Sequence, residues 1–282
     1  MIKLGDYNKL RILRHTDPGI YLAGTEETGD ILLPRRYVTP QMSDGDEIDV
    51  FIYLDQDERL VATTETPLAK VGEFAFLEVA WTNQYGAFMR WGLMKDLFCP
   101  FREQKQRMQR GKSYIVYIKE DEASHRLMAT AKVEKYLQPY DASQPPRHGT
   151  PIDCLVWQKT DLGFKVIAGN RYQGQIYDNQ IFQELHSGNR ITAYIDHVRQ
   201  DGKMDLTLQP TGRRQTLDFA EVLLRYLYEN DGRCNLGDNS PAELIADRFQ
   251  VSKKTFKRAV GDLYRRRIIT IEPDGIRLLQ QD

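Results

Sequence analysis

Residues 85–130 decide the fold. They open on Tyr85-Gly86-Ala87-Phe88-Met89, pass a second glycine at Gly111, and close on Arg126-Leu127-Met128-Ala129-Thr130. The same marks recur on either side. Upstream they are Pro18-Gly19-Ile20-Tyr21, Gly45 and Arg59; downstream they are Leu162-Gly163-Phe164-Lys165, Gly188 and Lys203. The gaps between the paired glycines are 26, 25 and 25 residues, and the basic residue follows after 14, 15 and 15. Three marks in register across three copies make an internal repeat.

Between the marks each copy alternates apolar and polar residues. After the second glycine come Ile48, Val50 and Ile52; then Tyr114, Val116 and Ile118; then Ile191, Ala193 and Ile195. This period of two predicts a half-buried strand. A shorter strand follows each basic residue (Leu60 and Ala62, Leu127 and Ala129, Met204 and Leu206), and another precedes each first glycine, at 10–13, 74–81 and 152–157. About five short strands per copy cannot bury their faces as a flat sheet, so closure into a small barrel is expected. The copies are read as 1–66, 67–140 and 144–210. Thr66-Pro67 is the first joint, the 138–146 stretch reads as a linker, and Thr211-Gly212-Arg213-Arg214 ends the third copy.

Over 211–282 the period becomes helical. Leu217, Ala220, Leu224 and Leu227 fall on one face, ending near Asn230-Asp231-Gly232. Ser240-Pro241-Ala242-Glu243 predicts a helix start closed by a capping box, with Leu244, Ile245 and Phe249 following. Ser252 predicts the cap of a third helix that buries Phe256, Val260 and Leu263, and 268–271 and 275–279 read as a hairpin. Helix, helix, short turn, helix and hairpin describe a winged helix-turn-helix, an α+β domain. The fold class is therefore mainly β: three tandem barrels, then a winged helix.

Composition bounds the function. The 282 residues carry 39 Lys+Arg against 40 Asp+Glu, so bulk charge does not indicate a nucleic-acid partner. No stretch approaches the ~20 apolar residues of a membrane span, and the first fifteen residues do not read as a secretory signal. Cys99, Cys154 and Cys234 form neither a CxxC pair nor a zinc spacing, which suits a reducing cytoplasm. No GxxxxGK[ST], GxSxG or HExxH occurs. No catalytic residue, cofactor or metal is expected, nor a membrane partner.

Charge is nonetheless uneven. The first copy is acidic and the second is the only clearly basic one; residues 251–267 hold seven cations and one acid. Lys253, Lys254, Lys257 and Arg258 are spaced to share the helix face opposite the apolar stripe, and Arg265, Arg266 and Arg267 close the helix. Such a face contacts phosphates or is simply solvated. In the barrels, Tyr21 and Phe88 lie two residues past a first glycine, with Tyr85 and Trp91 near Phe88. Rings of this kind stack unpaired bases, with Arg59, Arg126 and Lys203 reaching phosphates, or they pack across strands.

Tyr85-Gly86-Ala87-Phe88-Met89, the Gly111 turn and residues 126–130 resemble the S1 RNA-binding domain, an OB-fold barrel. Three such copies before a winged helix are similar to the conserved virulence factor B family of bacterial proteins. The segment Ser252-Lys253-Lys254-Thr255-Phe256-Lys257-Arg258-Ala259, running on to Gly261-Asp262-Leu263-Tyr264, carries the likeness further. The resemblance implies RNA binding, a regulatory role in gene expression and no catalysis. It places the S1 stacking pair on Tyr85 and Phe88 and leaves Tyr21 alone in the first copy, where Pro18 replaces the partner. In the third copy Leu162 and Lys165 stand there. A histidine position common in S1 domains falls on Leu33, Cys99 and Tyr177, of which only Tyr177 can stack. The expectation is a post-transcriptional regulator binding single-stranded RNA. A DNA-binding regulator acting through the winged helix and a protein-interaction scaffold are the alternatives.

Overall fold

The computed structural model describes residues 1–143, 146–181, 184–209 and 213–279; for 179 and 213–218 it describes the backbone only. The Gln144-Pro145 part of the expected linker and the Thr211-Gly212 end of the third copy lie outside the described residues, as does the side chain of Leu217.

Each copy is a closed five-stranded barrel. The first is built from β1 (Tyr7–Thr16), β2 (Gly19–Leu22), β3 (Ile31–Pro34), β4 (Glu47–Leu54) and β5 (Leu60–Thr63). The second uses β6 (Phe74–Thr82), β7 (Gly86–Arg90), β8 (Leu97–Pro100), β9 (Ser113–Glu120) and β10 (Leu127–Thr130). The third uses β11 (Pro151–Thr160), β12 (Gly163–Ala168), β13 (Tyr172–Tyr177), β14 (Arg190–Val198) and β15 (Met204–Thr207). In every barrel the first three strands form a meander, the third pairs in parallel with the fifth, and the fourth returns to the first.

The repeat marks have a physical cause. A Cβ on Gly19, Gly86 or Gly163 would meet the carbonyl oxygen of the facing strand, at 2.1 Å (Leu33), 2.4 Å (Cys99) and 2.0 Å (Ile176). The second glycines take positive φ and donate to the first strand: Gly45 to Ile12, Gly111 to Val79, Gly188 to Val156. The residue before each basic mark (Glu58, His125, Gly202) is also left-handed, which closes the hairpin between fourth and fifth strands.

The first strands share a bulge, between Ile12 and Arg14, Val79 and Trp81, and Val156 and Gln158. Up to the bulge, alternate residues point inward. Beyond it the extra residue inverts the side, so Arg14, Trp81 and Gln158 stand on the outer surface.

The chain divides into two units, 1–137 and 138–282. In the first unit the two barrels share a core. β4 reads Val50-Phe51-Ile52-Tyr53 with all four buried. Val50 and Ile52 fill the first barrel, while Phe51 and Tyr53 join the core of the second. Phe51 meets Trp91 edge-on at 5.9 Å. Val71 N–H donates to Gly5 O, and Lys70 Nζ pairs with Asp6 at 2.9 Å.

In the second unit the third barrel has its own core around Val156, Val166, Ile176 and Leu206. The winged helix follows: α1 (Arg213–Glu229), β16 (Arg233–Cys234), α2 (Ala242–Phe249), α3 (Lys253–Arg265), β17 (Ile269–Glu272) and β18 (Gly275–Leu278), with sheet order β16-β18-β17. No helix among the described residues is long and apolar enough to cross a membrane.

Several expectations need correction. The buried stripe of α1 runs through Phe219, Ala220, Leu223 and Leu227, with Leu224 only half-buried. The capping box at Ser240 does not form: Ser240 Oγ accepts Gly237 N–H, and no side chain caps α2. Leu244 is exposed. Part of the expected linker belongs to the third barrel, because Gln138 bridges to Tyr172 and Tyr140 packs on that core. The cap of α3 forms as read, with Ser252 Oγ accepting Thr255 N–H.

Candidate nucleic-acid interface

The register places three outward side chains side by side on the meander of each barrel. In the first these are Arg14, Tyr21 and Leu32; in the second Trp81, Phe88 and Phe98; in the third Gln158, Lys165 and Gln175. Only the second set is wholly aromatic. Trp81 and Phe88 stack at 3.7 Å with planes 3° apart, and Phe98 lies 4.9 Å from Phe88. Tyr85, 65% exposed, stands at the adjoining hairpin tip, where Asn83 Oδ1 accepts the N–H groups of Tyr85 and Gly86.

These rings line a cleft of about 900 Å³ whose other wall comes from the first barrel, including Tyr53, Gln56 and Glu58. The shared core holds both walls. The cleft contains three cations, Lys95, Arg102 and Arg126, and three carboxylates, Glu58, Asp96 and Asp121. Arg126 pairs with Glu58, and Arg102 with Asp121 at 3.2 Å. Lys95 Nζ donates to Asp55 O at 2.6 Å. Burial lowers the Lys95 ammonium below its ordinary range, with Asp55 and Glu58 opposing. The cleft thus sets an aromatic wall beside balanced charges, suited to a planar group with an anionic tether.

Tyr85, Phe88 and Arg126 meet in this cleft. Trp91 is a correction. It borders the cleft but is only 2% exposed, its indole N–H donates to Lys95 O, and it packs as core. It plugs the core that joins the two barrels. Tyr177 is a correction of register: it pairs with Gly163, as Pro34 pairs with Gly19 and Pro100 with Gly86. Leu33 and Cys99 correspond instead to Ile176, and all three are buried inside their barrels. Tyr177 accepts a hydrogen bond from Arg199 at 2.7 Å.

The remaining sites are not among the residues that line the cleft. Tyr21 lies beneath the Arg14 guanidinium at 4.6 Å. Arg59 is held by Asp55 and Asp57, and Lys203 by Asp201. On α3, Lys254, Lys257 and Arg258 are exposed and Lys253 half-buried. Lys257 pairs with Asp238, and Arg265 and Arg266 with Asp262. Lys253, Lys254 and Arg258 have no carboxylate partner among the described residues.

Trp81, Phe98, Lys95, Asp96 and Arg102 are among the cleft residues that the sequence reading missed. Unbroken alternation from Ala75, Leu77 and Val79 would turn Trp81 inward, and only the bulge turns it out. Phe98 pairs with Phe88 and could have been found from that register alone.

The fold and this surface define a class: OB-barrel and winged-helix proteins of the nucleic-acid-binding kind. Two family models agree. A profile described as the CvfB-like winged helix domain matches residues 221–278, and one described as the S1 domain matches residues 4–65. The S1 match thus falls on the first barrel, whereas the motif likeness was carried by the second. The resemblance to the conserved virulence factor B family holds along most of the chain. A Staphylococcus aureus protein of that name is 25% identical over 254 residues, covering 86% of this chain and 84% of its own. The Bacillus subtilis protein YitL is 28% identical over 266 residues, covering 92% and 88%. A solved multidomain protein with nucleic acid binding domains from Streptococcus pneumoniae aligns over 98% of both chains at 20% identity, with a TM-score of 0.44. The matched families are nucleic-acid-binding types, not enzymes.

Proposed function

We propose that this protein binds single-stranded RNA in the cleft of its second barrel and regulates gene expression after transcription. The row of Trp81, Phe88 and Phe98 beside Arg102 and Arg126 carries this reading. Flat rings stack on bases whose faces are free, and a duplex leaves none free along its length. Stacking tolerates any base and contributes about 1–3 kcal/mol each. Because the cleft is charge-balanced, phosphates must displace internal carboxylates, so stacking supplies most of the affinity. The S1 match supports RNA over DNA.

Competition of labelled single-stranded RNA against single-stranded DNA and duplex DNA tests the reading. RNA is expected to compete best, and a Trp81→Ala/Phe88→Ala variant is expected to lose the difference. Retention of full RNA affinity by that variant would remove the cleft from consideration. In cells, crosslinking followed by sequencing of the attached RNA tests the regulatory role.

The exposed cations of α3 favour a second reading, duplex DNA held by the winged helix. Against it, the hairpin joining β17 and β18 carries Asp274 at its turn, which repels a phosphate backbone, while Glu272 pairs with Arg277. Preference for a duplex in the same competition would favour this second reading.

A further inference from the structure

Asp96 stands at the end of the ring row. Its Oδ2 accepts the indole Nε1–H of Trp81 at 3.1 Å. Its Oδ1 has no hydrogen-bond or ion-pair partner among the described residues, and the side chain lines the cleft. The cleft cations are committed elsewhere: Lys95 to Asp55 O, Arg102 to Asp121 and Arg126 to Glu58. Trp81 turns one face to Phe88, so its 44% exposure falls on the opposite face and rim. A base held against the ring row occupies the cleft that the Asp96 carboxylate also lines.

We infer that Asp96 selects bases carrying an exocyclic amino group (adenine, cytosine or guanine) over uracil. The inference rests on the RNA-binding reading above and adds base selection to it. An ionised carboxylate only accepts hydrogen bonds. An amino group donates to it, and a bond to a charged acceptor is short and about twice as strong as a neutral one. Uracil sets its single N–H between two carbonyl oxygens, whose lone pairs repel the carboxylate. The rings hold any base and Asp96 discriminates among them.

Asp96→Asn separates the two roles. The amide oxygen still accepts the Trp81 N–H, while the other oxygen becomes an NH₂ donor. Full-length protein is titrated by fluorescence anisotropy with oligo-rA, oligo-rC and oligo-rU of about ten nucleotides, within the span of one OB barrel. Wild type is expected to bind oligo-rA and oligo-rC about three- to tenfold more tightly than oligo-rU. In D96N that ratio falls to about one or inverts. Equal weakening of all three probes would mean that Asp96 only positions Trp81, and would overturn the inference. So would an unchanged ratio in D96N, or no preference in wild type. If wild type bound none of the probes, the RNA-binding reading itself would fall, and base selection with it.

Discussion

Phe88 and Trp91 lie three residues apart and have opposite fates. Phe88 lies on β7, faces outward and stacks on Trp81; Trp91 follows the strand end and seals the core against Phe51. Their substitutions should therefore separate binding from stability. Phe88→Ala is expected to weaken RNA binding by about 1–3 kcal/mol with a near-native melting curve, read by anisotropy and calorimetry. Trp91→Ala is expected to cost about 3–5 kcal/mol of unfolding free energy, read by denaturant titration. The reverse pattern would refute the assignment. Burial pushes the Cys99 and Cys154 thiols up to about 12 and raises Cys234 as well. All three should resist a thiol reagent at pH 8 until denaturant is added, checked by absorbance. The glycine marks were readable in the sequence because a backbone approach or a positive φ tolerates little else. The outward turn of Trp81 was not, because one bulge reverses the side that simple alternation assigns, whereas Trp91 continues the inward alternation of Ala87 and Met89.

Among the elements, the β6–β7–β8 meander carries the binding surface and α3 the second cationic face. Gly86 lets β7 approach β8, and a methyl group there would meet Cys99 O at 2.4 Å and the Phe98 ring at 2.8 Å. Gly86→Ala is expected to spread the strands and break the Trp81–Phe88 stack, seen as a changed near-ultraviolet circular dichroism signal and lost RNA binding. On α3, Ser252→Ala removes the cap on Thr255 N–H and is expected to cost about 1 kcal/mol in the winged helix, measured by thermal unfolding. The α3 cap was legible because Ser252 directly precedes a helical stripe. The Ser240 box was not, because a nearer donor, Gly237 N–H, takes the hydroxyl.

Over the whole molecule, the first two barrels are joined by Phe51, Tyr53 and Trp91 and flanked by the Asp6–Lys70 pair. Burial would raise the Asp6 carboxyl, but the Lys70 hydrogen bond and Tyr7 N–H outweigh it, so its folded value lies below the ordinary one. Its contribution is therefore present above the unfolded-state pKa and is lost as pH falls through the folded value. Asp6→Asn is expected to flatten the acid side of the stability profile, measured by denaturation at stepped pH; the effect is small because both side chains are partly solvated. Salt dependence reports which cations meet phosphate. Three cleft cations give a slope of log affinity against log salt no steeper than about −2 for a single strand. A steeper slope that Lys253→Ala/Lys254→Ala/Arg258→Ala reduces would place α3 on the nucleic acid as well.

The sequence alone determined the repeat, the closed barrels and the winged helix, because glycine spacing, alternation and helix caps act through neighbours along the chain. The first barrel's part in the cleft, the pairing of every cleft cation and the outward turn of Trp81 were decided only by tertiary structure. These depend on groups far apart in sequence: Phe51 against Trp91, Glu58 against Arg126, and a bulge that changes sides in mid-strand.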